Sequence, residues 1–274
     1  MKVIGRIISD NQITTEDVPR IEDNLFYEGE KRLLNLESFA VLMFFATIIA
    51  TYGIIADSTA TVIGAMIVAP LMTPIMATAA ALVMGRMKLA GRSLLIVVCG
   101  VVGAIFVSWL LGTIYTTGVI SVNTNSQIVS RVSPRLTDLY AALASGAVGA
   151  FAMSRKDVAN TLPGVAIAIA LVPPLAVVGL TLSEGSWSDA RGAFLLFTTN
   201  FLSILLAGGG VFALLGLSKA SMTTLLGSER RNAFLLIALG TLIVIVPLTT
   251  TSISTGKAGY AQFHTAQETQ EWLS

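Results

Sequence analysis

A single cysteine and a single histidine occur among 274 residues, and their scarcity removes several classes of chemistry. Cys99 alone allows no internal disulfide, and in the middle of an apolar run it reads as a small buried hydrophobe. His264 stands in the polar stretch Tyr260 to Glu268 with no second ligand at helical spacing, so it reads as a solvated surface residue and no metal centre is expected. No phosphate-cradling glycine loop precedes a Lys-Ser/Thr pair, which leaves no nucleotide site and no coupling to ATP within this chain. The run Gly208-Gly209-Gly210 sits inside an apolar stretch, where close helix packing or a bend explains it better. Neither an enzyme nor a cofactor is indicated. Charge is scarce too, at 12% of residues. No Lys or Arg lies near the centre of a long apolar run, which argues against a fixed countercharge for an anionic substrate and against a voltage sensor. A net charge of +1 gives no sign of a nucleic-acid partner.

What is abundant is apolar surface. With 54% hydrophobic residues and a mean hydropathy of +0.79, the chain has far too much for one soluble core and reads as an all-α polytopic membrane protein. Runs of roughly twenty apolar residues, enough to cross about 30 Å of hydrocarbon, predict seven spans. They fall near 38–55, 59–84, 93–115, 139–153, 161–182, 193–217 and 232–251. The fourth is short and rich in Ala and Gly, which predicts a helix buried between neighbours. Residues 1–36 form a polar, then amphipathic segment, with Leu25, Phe26, Leu33, Leu34 and Leu36 at helix-compatible spacing, suited to lie on a membrane surface or a partner. The first ten residues contain too short an apolar run for a signal peptide.

The chain nearly repeats itself one hundred residues on. Asp57/Asp157, Thr61/Thr161, Gly64/Gly164, Ile67/Ile167, Leu71/Leu171, Pro74/Pro174, Leu82/Leu182 and Gly85/Gly185 are identical in one ungapped frame. A shared Asp, Thr, Gly and Pro weigh more than shared leucines, because apolar helices resemble one another by composition. Each copy would hold three crossings, an odd number, so the second enters the membrane from the opposite face and the repeats, 37–115 and 138–217, are inverted. Residues 116–137 would be an outer loop, 218–253 a cytoplasmic loop with the seventh helix, and 254–274 a polar outer tail. The basic residues agree. Lys2, Arg6, Arg20, Lys31, Arg32, Arg86, Lys88, Arg92, Arg155, Lys156, Lys219, Arg230 and Arg231 fall on one side, and Arg131, Arg135, Arg191 and Lys257 on the other. The first side is then cytoplasmic, which places the N-terminus inside and the C-terminus outside.

Pro70 and Pro74 fall near the middle of span two, and Pro173 and Pro174 near the middle of span five. Each proline removes a backbone donor and crowds the preceding turn, so both helices are expected to break or kink at the bilayer centre. Carbonyls freed there cost several kcal/mol apiece unless protein, water or an ion satisfies them. Two breaks at one depth can therefore form a site for a small polar solute or ion, with Thr73, Thr161 and Asn200 as further lining groups. Structural kinks that only shape a bundle are the plain alternative. Asp57, followed by Ser58, and Asp157, followed closely by Asn160, stand at the heads of spans two and five, and Asp138 heads span four. All read as helix caps or as gating acids at the mouths of the site.

These stretches resemble a known family. Ala56 through Ile75, Arg131-Val-Ser-Pro-Arg-Leu-Thr-Asp138, Leu162 through Gly179 and Thr199-Asn200-Phe201 look like the signature segments of the bacterial and archaeal membrane family catalogued as domain of unknown function 389, over roughly residues 37 to 217. The resemblance implies an integral protein of a prokaryotic inner membrane and assigns no activity. It also implies that longer relatives carry a soluble N-terminal domain, where this chain has only the segment before residue 37. The expectation is a transporter that moves a small solute or ion by alternating access in the lipid bilayer, assembled as a homo-oligomer through its small-residue faces. A passive ion channel, or a membrane scaffold or sensor that transports nothing, are the alternatives.

Overall fold

A computed structural model describes residues 9–115, 124–155 and 171–221, and among these every regular element is a helix. The first half of the expected fifth span, with Asp157, Asn160 and Thr161, and the expected seventh span and outer tail lie outside the described residues.

The helices are α1 (Val18–Leu25), α2 (Arg32–Ile55), α3 (Thr59–Val68), α4 (Met72–Met84), α5 (Met87–Tyr115), α6 (Ser126–Val132), α7 (Leu136–Ser154), α8 (Val172–Ser183), α9 (Trp187–Leu214) and α10 (Leu217–Ala220). Four of them, α2, α5, α7 and α9, are long and apolar enough to cross a membrane, and α3 with α4 makes a fifth crossing if the bent pair is one span. The long helices start three to six residues earlier than the apolar runs do, because Arg32, Asn35, Lys88, Asp138 and Asp189 occupy their first turns. A polar first turn belongs to the headgroup layer, which hydropathy does not count. At the other end, α9 stops at Leu214, short of the expected 217, and Gly216 in the left-handed region at φ 85° turns the chain into α10.

Burial divides the helices by role. Nearly every residue of α4 and α8 is buried, as expected of helices that are apolar all round. Helix α5 is the most peripheral of the long helices, with Leu95, Val102, Phe106 and Ile114 exposed. Helix α9 packs against α4, α7 and α8, and α8 packs against α5. Glycines set the close approaches. A Cβ at Gly146 of α7 would lie 2.8 Å from Ile204 Cα on α9, and one at Gly179 of α8 would lie 2.6 Å from Ile105 O on α5. Helix α7 buries only the face that carries Gly146 and Gly149; Tyr140 and Val148 opposite are exposed. The Ala/Gly-rich face of that helix meets α9, and the opposite face is exposed, where the sequence predicts a helix buried between neighbours. Gly208 performs the same service for Met76 of α4, whose Cε would lie 2.9 Å from a Cβ there. Helix α9 continues through Gly208-Gly209-Gly210, and Gly208 and Gly209 lie on its buried face.

The N-terminal segment folds under the bundle. Ile13, Val18, Ile21, Leu25 and Phe26 are buried in the common core, whereas Leu33 and Leu34 on α2 are exposed. Ile13 N donates to Leu215 O at 2.8 Å, Arg20 donates to the carbonyls of Ser154 (2.8 Å) and Met153 (3.5 Å), Glu22 pairs with Arg86 at 2.8 Å, and Glu28 pairs with Arg92 at 2.8 Å. The segment therefore ties together the ends of α4, α7 and α9 and the start of α5, which lie on one face of the bundle.

Candidate functional site

The second expected span is broken where its prolines stand. Helix α3 ends at Val68, Ala69 is extended at φ −67° and ψ 122°, and α4 resumes at Met72 with its axis turned by 48°. Pro70 and Pro74 have no N–H for the carbonyls of Met66 and Pro70, so the α-helical ladder cannot run through this point. At 1.5 Å per residue the ten residues of α3 cover about 15 Å and the thirteen of α4 about 20 Å, which puts the break near the middle of a hydrocarbon layer about 30 Å thick. Pro74 and Leu71 are buried; Pro70 and Thr73 are half-buried.

Pro173 and Pro174 occupy the first turn of α8, where missing donors cost least, and both are buried. That twelve-residue helix is about half a membrane span long. It touches α2, α3, α5 and α9, and α9 touches both α4 and α8. The elements bearing Pro70, Thr73, Pro74, Pro173, Pro174 and Asn200 thus converge. Asn200 lies on the buried face of α9 between Thr199 and Ser203, whose hydroxyls donate to the carbonyls of Leu195 and Thr199 in their own helix.

The ends of α4 and α8 match in detail. Gly85 and Gly185 are left-handed at φ 72° and 73°. Gly85 N donates to Leu82 O at 3.1 Å and Arg86 N to Ala81 O at 2.8 Å; Gly185 N donates to Leu182 O at 3.2 Å and Ser186 N to Thr181 O at 2.8 Å. The two helices that share the hundred-residue frame share one C-terminal cap, a Schellman-type closure for which glycine supplies the conformation.

The acids divide differently from expectation. The N-cap of α3 is Ser58, whose Oγ accepts from Thr61 N at 3.4 Å, and not Asp57. Asp57 stands in the left-handed region at φ 49°, and this swings its carboxylate away from α3 onto α6. There it accepts from Ser126 Oγ at 2.7 Å and Gln127 N at 3.1 Å. The Ser126 hydroxyl holds its carboxyl below the usual carboxylate range; desolvation opposes this, and the backbone amides of Gln127 and Ser126 add to the lowering. Asp138 caps α7, its Oδ2 accepting from Arg135 N at 2.8 Å.

Residues 116–137, expected as loop, contain α6, and α6 forms a latch that the sequence pattern does not reveal. Asn125 caps it by accepting from Ile128 N at 3.0 Å and donates through Nδ2 to Ile54 O at 2.7 Å, while Gln127 Nε2 donates to Thr59 Oγ1 at 2.8 Å. Arg131 donates to Gln127 O at 2.6 Å. Burial pulls its guanidinium below its ordinary value, with Asp138 opposing. An N-cap residue ahead of an apolar position is a readable signal at Asn125. The bonds from Asn125 and Gln127 to the α2–α3 corner span about seventy residues and leave no local mark.

With this geometry in view, relatives carry the same stretch. The family described as Domain of unknown function (DUF389) matches residues 66–206, within the region outlined by the motifs. An uncharacterized protein of Methanocaldococcus jannaschii, MJ0678, is 31% identical over 204 residues, which cover 74% of this chain and 62% of that relative. The chain therefore spans less than two thirds of the archaeal protein it matches. No solved structure matches.

Proposed function

The chain belongs to the DUF389 family of prokaryotic membrane proteins, and on that premise we propose that it carries a small polar solute or ion across the inner membrane by alternating access. The carrying observation is the break at Ala69–Leu71, midway through a helix pair whose second half is almost wholly buried. An interruption of the ladder next to a buried half-helix leaves backbone dipoles at mid-depth, where a protein that only needs a stable bundle gains nothing from them.

The proposal has seven spans in two inverted three-helix repeats, with Asp157, Asn160 and Thr161 contributing from the second copy. The twin caps at Gly85 and Gly185 support the repeat. So does the crossed packing of α5 on α8 and α9 on α4, in which the third helix of each copy holds the broken helix of the other. Leu71, at the first break, would touch a Cβ on Gly100 at 3.2 Å. The frame pairs position 100 with Asn200, which supports assigning that amide to the second break. The face bound by the N-terminal segment carries Arg20, Arg32, Arg86, Lys88, Arg92 and Arg155, against Arg131, Arg135 and Arg191 opposite, which supports a cytoplasmic N-terminus and an outer C-terminus. The reading includes a homo-oligomer.

Flux into proteoliposomes holding the purified, oriented protein tests the reading, with a panel of labelled inorganic ions and small zwitterionic or neutral solutes. Saturable uptake that disappears in Pro70→Ala/Pro74→Ala supports a carrier. Unitary currents in a planar bilayer would instead assign a channel, and silence across the panel would favour the scaffold or sensor.

A further inference from the structure

Transport at the broken helices leaves one large feature unused, a groove of about 520 Å³ between α2 and α5. Its walls are apolar, with Phe39 and Met43 on one side and Leu95, Cys99 and Gly103 on the other; Arg32 and Arg92 line it as well. The groove exists because α5 presents small residues to α2. Phe39 fills part of the gap, its Cζ 2.9 Å from where a Gly100 Cβ would stand, but a Cβ at Gly103 would meet nothing within 4 Å.

Shape decides the kind of occupant. From Arg92 to Val107 the groove follows α5 for about 22 Å. That is one leaflet, headgroup layer included, since half of a bilayer of about 40–45 Å is roughly 20–22 Å. The groove is an open slot of leaflet length with apolar walls and basic residues at one end, a pattern that fits an extended hydrocarbon chain beneath an anionic headgroup.

Charge decides the headgroup. Arg32 opens α2 and Arg92 lies in the second turn of α5, at the face where the N-terminal segment is bound. Lys88 precedes Arg92 by one turn on the same face of α5. Glu28 bonds Arg92 at 2.8 Å and offsets one of these three cations. Tyr27, five residues before Arg32, also lines the groove and stacks edge-on with Phe39 at 6.3 Å between ring centroids, the amphipathic ring suited to headgroup depth.

We propose that this groove is a binding site for one anionic glycerophospholipid, with its phosphate at Arg32 and Arg92 and one acyl chain laid along Phe39, Met43 and Gly103. The site is independent of the transport reading. Native mass spectrometry of the detergent-purified full chain, titrated with phosphatidylglycerol or phosphatidylcholine of matched acyl chains, tests it. One phosphatidylglycerol should be retained with roughly tenfold preference, the scale of one to two basic contacts to an anionic lipid. Arg32→Gln/Arg92→Gln should equalise the two lipids. Gly103→Phe should eject both, and if that variant aggregates, Ala40→Phe fills the slot from the opposite wall. Glycerol phosphate without acyl chains should not compete. Equal retention of the two lipids by the wild type, retention untouched by the filling variants, or displacement by glycerol phosphate would each overturn the proposal. So would a dimer mass that vanishes on filling the groove.

Discussion

Replacing Gly179 with alanine adds one methyl group where α8 approaches the backbone of α5. Its Cβ would stand 2.5 Å from Ser108 Cβ, 2.6 Å from Ile105 O and 2.6 Å from Trp109 N. Two of these are backbone atoms of a long helix and cannot rotate away. The third belongs to a serine whose hydroxyl is already bonded to Thr51 Oγ1 on α2 at 2.8 Å, so retreat of Ser108 disturbs a second interface. Helix α8 must move off α5 by the better part of an ångström, and overpacking of this kind costs about 1–3 kcal/mol. The control is Gly103→Ala on α5, where a Cβ meets nothing within 4 Å and the better helix former gains at most about 1 kcal/mol. Both substitutions are Gly→Ala in a helix, so propensity cancels in the comparison and packing remains. SDS titration of the two purified variants, followed by far-UV circular dichroism, should give a lower midpoint for Gly179→Ala and a midpoint at or above wild type for Gly103→Ala. Equal midpoints would refute the α5–α8 approach, and with it the crossed packing that supports the repeat.

Other perturbations probe separate parts of the structure. Arg20→Ala removes charged donors from the carbonyls of Met153 and Ser154, which are worth about 1.5–3 kcal/mol when made to an ion; hydrogen exchange in residues 9–31 should rise while the spans stay protected. Because the folded carboxyl of Asp57 lies below its ordinary value, its contribution is fully present above the ordinary carboxylate range and is lost as pH falls through the lowered value. Exchange in α6 should therefore accelerate on acidification below the ordinary carboxylate range, and Asp57→Asn should flatten that dependence. Gly185→Ala, at φ 73° with open space around it, should cost about 1–2 kcal/mol from backbone strain alone, read as a lower unfolding midpoint.

Whether a feature could be read in the sequence depended on the range of the interaction behind it. The break in span two follows from covalent chemistry: Pro70 and Pro74 lack donors whatever surrounds them, and the helix is interrupted between Val68 and Met72. The four long spans follow from composition, and their early starts were missed because a lysine in a first turn counts against hydropathy while costing nothing at headgroup depth. Small residues marked α7 as a packing helix, but composition has no direction, so one tight face and one exposed face could not be told apart. Asp57 shows the limit most sharply. An acid just before a helix reads as its cap, and here Ser58, one residue later, takes the cap while a left-handed Asp57 turns outward.

That turn gives Asp57 a consequence for the proposed cycle. Its carboxylate, with Asn125 and Gln127, fastens α6 to the corner where α2 ends and α3 begins. Helix α3 packs along α2 and touches α8, with Val62 and Ala65 as its buried residues, and the extended Ala69 separates it from α4. A half-helix broken at one end and latched at the other is the element proposed to move in alternating access, and the latch lies at the end away from the break. In the flux assay, Asp57→Asn keeps the conformation and weakens the latch. It should raise the solute concentration for half-maximal uptake or the turnover rate, and leave the break and total expression as they are. If Asp57→Asn leaves both kinetic constants unchanged in a protein that transports, α3 is not the moving part, and the gate must be sought on the second copy.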